Sequence, residues 1–120
     1  AYRPLLPDVR HIRFNHFEDL QHISSRTACV IVEPIQGDAG VRIATNKWLH
    51  ALRKKCDEHC VLLIFDEIQC GMGRTGKLFA FEHYGVVPDI LTIGKAFGGG
   101  LPIGAFVADQ RLMKTLTYDP

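Results

Sequence analysis

Two residues of this 120-residue chain stand where a side chain can do chemistry. Asp66 follows directly on the apolar run LLIF, and Lys95 follows LTIG and precedes AFGGG. A carboxylate at the mouth of a buried sheet is partly desolvated and stays ionised only beside a cationic partner, so Asp66 implies a positive group nearby. Lys95 carries a flexible amine on a turn whose following glycines add little bulk, which lets it approach a flat ligand closely. A lysine able to form a Schiff base, together with an acid able to pair with a pyridinium nitrogen, is what a pyridoxal phosphate site demands.

These residues need elements to hold them. Val61 to Phe65 and Ile90 to Ile93 are continuous apolar runs of strand length, and Ala28 to Val32, ending at Glu33-Pro34, is a third. Continuous Val, Ile and Leu runs suit parallel strands buried on both faces. The runs end near residues 33, 66 and 94, close to the roughly 30-residue spacing of successive βαβ units. The layout is therefore α/β, a mostly parallel sheet with flanking helices, filling residues 1–120 as one domain without an internal boundary. Ligands of such sheets bind at the carboxyl ends of the strands, where Glu33, Asp66 and Lys95 all sit. One right-handed crossover joins the strands of Asp66 and Lys95, which puts both at one rim.

The remaining pattern predicts further elements. Trp48, Leu49, Leu52 and Cys56 opposite Arg53, Lys54, Lys55, Asp57 and Glu58 make an amphipathic helix from Asn46 to about His59. After prolines at 4 and 7, Val9, Ile12 and Phe14 alternate as in a short strand, and Phe17, Leu20 and Ile23 suit a two-turn helix with Asn15 as its cap. QGDAG reads as a turn-rich loop, Leu78 to Tyr84 as a short helix, Ile103 to Val107 as a last strand and Gln110 to Leu116 as a last helix.

Composition excludes several classes. Apolar residues make up 47% and charged residues 22%, with a formal net charge of +1, so no basic footprint for nucleic acid exists. The longest apolar run, Cys60 to Phe65, falls far short of the roughly 20 residues that cross a bilayer. Cys29, Cys56, Cys60 and Cys70 read as reduced thiols in a cytoplasmic setting. Cys56, His59 and Cys60 lie close together, but no second Cys or His pair stands at zinc spacing, and no metal site is expected.

Gly71, Gly73 and Gly76 spell GxGxxG, and GMGRTGKL nearly spells a phosphate loop, so a nucleotide-binding module is one alternative reading, and a non-catalytic fragment that binds nothing is another. Two features oppose nucleotide binding. Leu78 occupies the position where a hydroxyl must meet the metal ion, and Asp66 to Cys70 separate the apolar strand from the first glycine.

VEPIQGDAG (Val32 to Gly40), LLIFDEIQCGMGRTGKLFAFEHYGVVPDI (Leu62 to Ile90) and TIGKAFGGGLPIGAF (Thr92 to Phe106) resemble the large-domain core of the class III aminotransferases, most closely their ornithine and acetylornithine branch. The resemblance runs from RPLLP onward, and the ordered set of three motifs is far more specific than any one of them. It implies part of the large domain of a fold type I pyridoxal phosphate transferase, moving an amino group from ornithine or N-acetylornithine to 2-oxoglutarate. By the same match Lys95 is the Schiff-base lysine, Asp66 sits on the pyridine nitrogen, Ile68 packs on the ring and Gln69 reaches the phenolic oxygen. Glu67 is counted with these cofactor contacts, and Glu33 and Asp38 with the substrate side.

One departure stands out: members taking ω-amino substrates usually carry Glu where this chain has Asp38, and the shorter arm reaches less far. The family's phosphate-holding turn, partner-subunit threonine and C-terminal arginine have no counterpart here. The 120 residues are thus expected to be an incomplete part of a homodimeric enzyme and to turn nothing over alone.

Overall fold

The computed structural model describes residues 6–116. In chain order the elements are a 3-10 turn (Glu18–His22), β1 (Cys29–Val32), β2 (Ile35–Gln36), β3 (Arg42–Ile43), α1 (Asn46–Glu58) and β4 (Leu62–Asp66). A second 3-10 turn (Ala80–His83), β5 (Ile90–Ile93), a third turn (Lys95–Gly98), β6 (Ala105–Ala108) and α2 (Gln110–Met113), which runs into a last 3-10 turn (Lys114–Leu116), complete the order. The opening read at Pro4 lies outside the described residues.

The main sheet has the order β1-β4-β5-β6. β4 lies parallel to both β1 and β5, and β6 returns antiparallel to β5, so the sheet is mostly parallel as the apolar runs predict. Register places Val32 against Phe65, Asp66 against Thr92 and Thr92 against Phe106. Alternation then sorts the side chains by face. Leu63, Phe65, Leu91 and Ile93 point into the core, and Ile31 and Phe106 lie on the other face, 66% and 50% exposed.

α1 packs its apolar stripe onto the core face, with Trp48, Leu49, Leu52 and Cys56 all essentially inaccessible. Each such side chain contributes about 1.5–3 kcal/mol by leaving water. The helix starts where Thr45 Oγ1 accepts from the Trp48 N–H at 3.3 Å. Its Arg53 reaches Asp89 at 2.8 Å, and the same carboxylate oxygen accepts from the Leu63 N–H at 2.7 Å. Since the Asp89 N–H also donates to the Leu63 carbonyl at 2.8 Å, the entry of β5 is fixed to β4 before their ladder begins.

Three local expectations are corrected. Residues 9–14 form no strand: they pair with neither edge of the sheet, although β1 bonds to β4 alone among the described strands, and Phe14 instead lies on Trp48 with ring centroids 5.3 Å apart. Asn15 caps no helix; it donates to the Ile43 carbonyl and accepts from the Thr45 N–H, clasping β3 to the start of α1. The segment QGDAG is not simply a loop, because β2 and β3 flank it as a two-residue antiparallel ladder. Among the described residues no helix is long and apolar enough to cross a membrane.

Candidate active site

The carboxyl ends of β1, β4 and β5 form one rim. Glu33 follows the last residue of β1, Asp66 ends β4 and Lys95 lies two residues beyond β5. Alternation turns Asp66 to the face opposite Phe65, and its Oδ1 accepts from the Ile68 N–H at 3.0 Å, which fixes the carboxylate at the rim. Thr92, its partner across the ladder, carries a buried hydroxyl without a hydrogen-bond partner among the described residues. The sequence reading missed Thr92, although parallel register and a shared face place it beside the acid.

Lys95 sits at φ 47°, a left-handed conformation that is uncommon for a residue with a Cβ and costs energy to hold. That turn takes the chain sharply off β5 and leaves the amine-bearing side chain exposed at the rim. Gly94 beneath it is covered: a Cβ there would stand in ordinary contact, 3.4 Å from Ile68 Cγ2, so Ile68 packs over the backbone that carries Lys95. Lys95 opens on a cleft of about 550 Å³ lined also by Ile35, Gly37, Gln69, Arg74 and Thr75. Asp66 and Glu33 open on a smaller neighbouring cleft of about 220 Å³, and the consecutive residues Gln36 and Gly37 line one cleft each.

Glu33 links the two. Burial pushes its carboxyl above the ordinary glutamate range, the charges of Asp66 and Asp38 push it further, and Lys95 and the Gly37 N–H oppose them. The folded state therefore holds this proton more tightly than the unfolded chain does. Glu33's contribution to stability is full below the ordinary value of 4.5 and is lost as pH rises through the shifted one. Glu33→Gln is expected to flatten that part of the stability profile, measured as unfolding free energy against pH; an unchanged slope would mean that Glu33 titrates normally.

Glu67 departs from its expected role. It is fully buried, facing the core as Leu63 and Phe65 do, and its two carboxylate oxygens accept from the Ala80 N–H at 2.6 Å and the Phe81 N–H at 2.8 Å. Burial pushes its carboxyl upward, opposed by those two backbone donors. Glu67 is thus committed to the turn at Ala80–His83 and does not face the rim. Glu67→Ala, which leaves two buried donors unpaired, is expected to cost about 2–5 kcal/mol in denaturant unfolding. Glu67→Gln, with one acceptor oxygen for two donors, should fall between that variant and the native chain.

The glycine loop uses its backbone internally. The N–H groups of Gly71, Gly73, Arg74 and Gly76 donate to the carbonyls of Glu67, Leu78, Gly71 and Gly73 respectively, and no helix begins among these residues. A phosphate cradle needs such groups free and a helix N-terminus behind them, so the geometry disfavours the nucleotide alternative. Cys70, at the end of the same segment, is buried with its thiol pushed up to about 11 by desolvation.

The fold thus brings a lysine on a left-handed turn, an acid at the adjoining strand end and an amide to one rim of an α/β sheet. The chain belongs to the class III aminotransferases, whose family model, Aminotransferase class-III, matches residues 5–119. It is 51% identical over 119 residues to the acetylornithine aminotransferase of Methanocaldococcus jannaschii, covering 98% of this chain and 30% of that protein. It is 52% identical over 117 residues to the succinylornithine transaminase of Salmonella typhi, covering 97% and 29%. Among solved structures, ornithine delta-aminotransferase of Plasmodium falciparum superposes with a TM-score of 0.90 at 36% identity, over 98% of this chain and 31% of that one. N-acetylornithine aminotransferase of Stenotrophomonas maltophilia gives 0.83 at 47% identity, over 88% and 30%. The chain therefore spans about 30% of the length of the curated relatives it matches.

Proposed function

We propose that this chain forms the cofactor-holding part of an aminotransferase that moves an amino group from ornithine, N-acetylornithine or a related amine to 2-oxoglutarate, with pyridoxal 5'-phosphate as cofactor. The observation that carries the reading is the rim itself: Lys95 exposed on a cleft beside Gln69, with Asp66 at the adjoining strand end. The residues fit the group. Ile68 is exposed over Gly94 where a flat ring can lie, Asp66 presents a carboxylate with one oxygen fixed, and Gln69 offers an amide in the Lys95 cleft.

When bound, the cofactor supplies a carbonyl to carry the amino group and a ring that accepts electrons. Lys95 would hold it covalently and would supply the free amine that moves a proton at the substrate Cα. Asp66 holds a proton on the ring nitrogen, and Ile68 keeps the ring face dry. Glu33 and Asp38 line the substrate side. In the complete enzyme we propose a homodimer in the cytoplasm, acting on small amino and oxo acids with no nucleic-acid or membrane partner.

The test is titration of the natural polypeptide carrying this sequence with pyridoxal phosphate, followed by borohydride reduction and peptide mapping. The expected result is a pyridoxyl label on Lys95. A label confined to another lysine would overturn the assignment.

A further inference from the structure

Gln69 is held from two sides. Its Nε2 donates to Asp38 Oδ1 at 3.0 Å, and its amide oxygen lies so close to the backbone of Gly37 that a Cβ there would stand 1.7 Å from Oε1 and 2.5 Å from the amide carbon. Asp38 and Gly37 are neighbours in the turn between β2 and β3, a ladder that Ile35–Ile43 and Gln36–Arg42 pairing fixes in place. Gly37 and Gln69 both line the Lys95 cleft.

A primary amide has two donors at one end and an acceptor at the other, and its neighbours decide which way round it stands. Turned over, Gln69 would set its oxygen against a carboxylate oxygen, which repels it. As placed, one N–H goes to Asp38 and the other remains for a ligand. Gly37 is not among the positive-φ glycines, so its backbone would accept a side chain, but only if the Gln69 amide moved from its place.

We propose that the Gly37–Asp38 turn is a positioning element for Gln69: Asp38 sets the orientation of the amide, and the bare Cα of Gly37 makes room for its oxygen, so that one N–H stays available to an electronegative oxygen of the ligand bound at Lys95. The inference rests on the cofactor reading above for the identity of that ligand. It gives Asp38 a role that acts through Gln69, and it explains why a short acid serves at this position, since Asp38 already reaches its partner at 3.0 Å.

The experiment is a double-mutant cycle in the natural polypeptide carrying this sequence, with Asp38→Asn, Gln69→Ala and the pair combined, and with Gly37→Ala as an independent variant. Two readouts are taken: the Gln69 side-chain amide resonance without cofactor, and the affinity for pyridoxal phosphate with the pH profile of its visible absorbance. Asp38→Asn and Gly37→Ala are each expected to move the Gln69 resonance and to weaken cofactor affinity by about three- to tenfold, since an asparagine can face the amide either way round and an alanine Cβ displaces its oxygen. In the Gln69→Ala background Asp38→Asn should add nothing. A full Asp38→Asn effect in that background, or a Gln69 resonance that Asp38→Asn leaves in place, would overturn the proposal. Should the unmutated protein take up no pyridoxal phosphate, the cofactor reading fails, and the resonance alone decides whether the turn orients the amide.

Discussion

Lys95→Ala, made in the natural polypeptide carrying this sequence, is expected to lower transamination by at least about 10⁴-fold and to abolish borohydride trapping of pyridoxal phosphate. The size follows from the two functions proposed for it being lost together: covalent attachment, and the proton transfer at the substrate Cα that a positioned base accelerates by about 10²–10⁴. The fold should survive, because Lys95 is exposed and no ion pair to it occurs among the described residues. The left-handed backbone at φ 47° even predicts the direction of a companion result. Lys95→Gly relieves strain at a position that favours glycine, so it should unfold at equal or higher denaturant while being as inactive as the alanine variant. Turnover, trapping stoichiometry and the unfolding midpoint separate these effects. Retained turnover in Lys95→Ala would remove the lysine from the chemistry.

Much of the frame was legible from the chain alone, because parallel strands leave a strong mark. β5 spans the residues its apolar run marks, Ile90 to Ile93, and β1 and β4 shift by one residue from theirs. α1 was equally clear, since its stripe of Trp48, Leu49, Leu52 and Cys56 is the one the core buries. Elements held by few local signals were not. The two-residue strands β2 and β3 carry too little periodicity to announce themselves, and residues 9–14 have the alternation of a strand without a partner to make it one. The predicted helix at Leu78 to Tyr84 is a 3-10 turn at Ala80–His83, whose first backbone donors go to Glu67 and whose C-terminal end closes on Gly85.

The rim shows the same division. Strand order and crossover spacing put Asp66 and Lys95 at adjoining ends, and register bears this out. Counting by twos from Leu63 and Phe65 would have turned Glu67 inward as well, for a side chain two residues past a buried one in extended backbone shares its face. The Gln69–Asp38 contact had no such signal, since 31 residues separate the pair and only the β2–β3 turn brings them together.

Asp66→Asn is expected to lower turnover by about 10²–10³, the range seen when one preorganised electrostatic contact to a reacting centre is removed. Asparagine keeps an oxygen where Asp66 Oδ1 accepts the Ile68 N–H, so the local turn should persist and unfolding should change little. What disappears is the negative charge that would hold a proton on the ring nitrogen, and with it the ring's capacity to accept electrons. Trapping at Lys95 should continue, because attachment needs the amine alone. The neighbouring acid supplies an internal control: Glu67→Ala should lose stability, whereas Asp66→Asn should lose rate, although the two carboxylates are adjacent in sequence. The contrast follows from alternation at the end of β4, which turns Glu67 to the backbone donors of Ala80 and Phe81 and leaves Asp66 at the rim. Steady-state turnover paired with denaturant unfolding reads both quantities on both variants. If Asp66→Asn were fully active, or if it lost stability as Glu67→Ala does, the carboxylate would be a structural group and the electron-accepting role would have to be sought elsewhere on the rim.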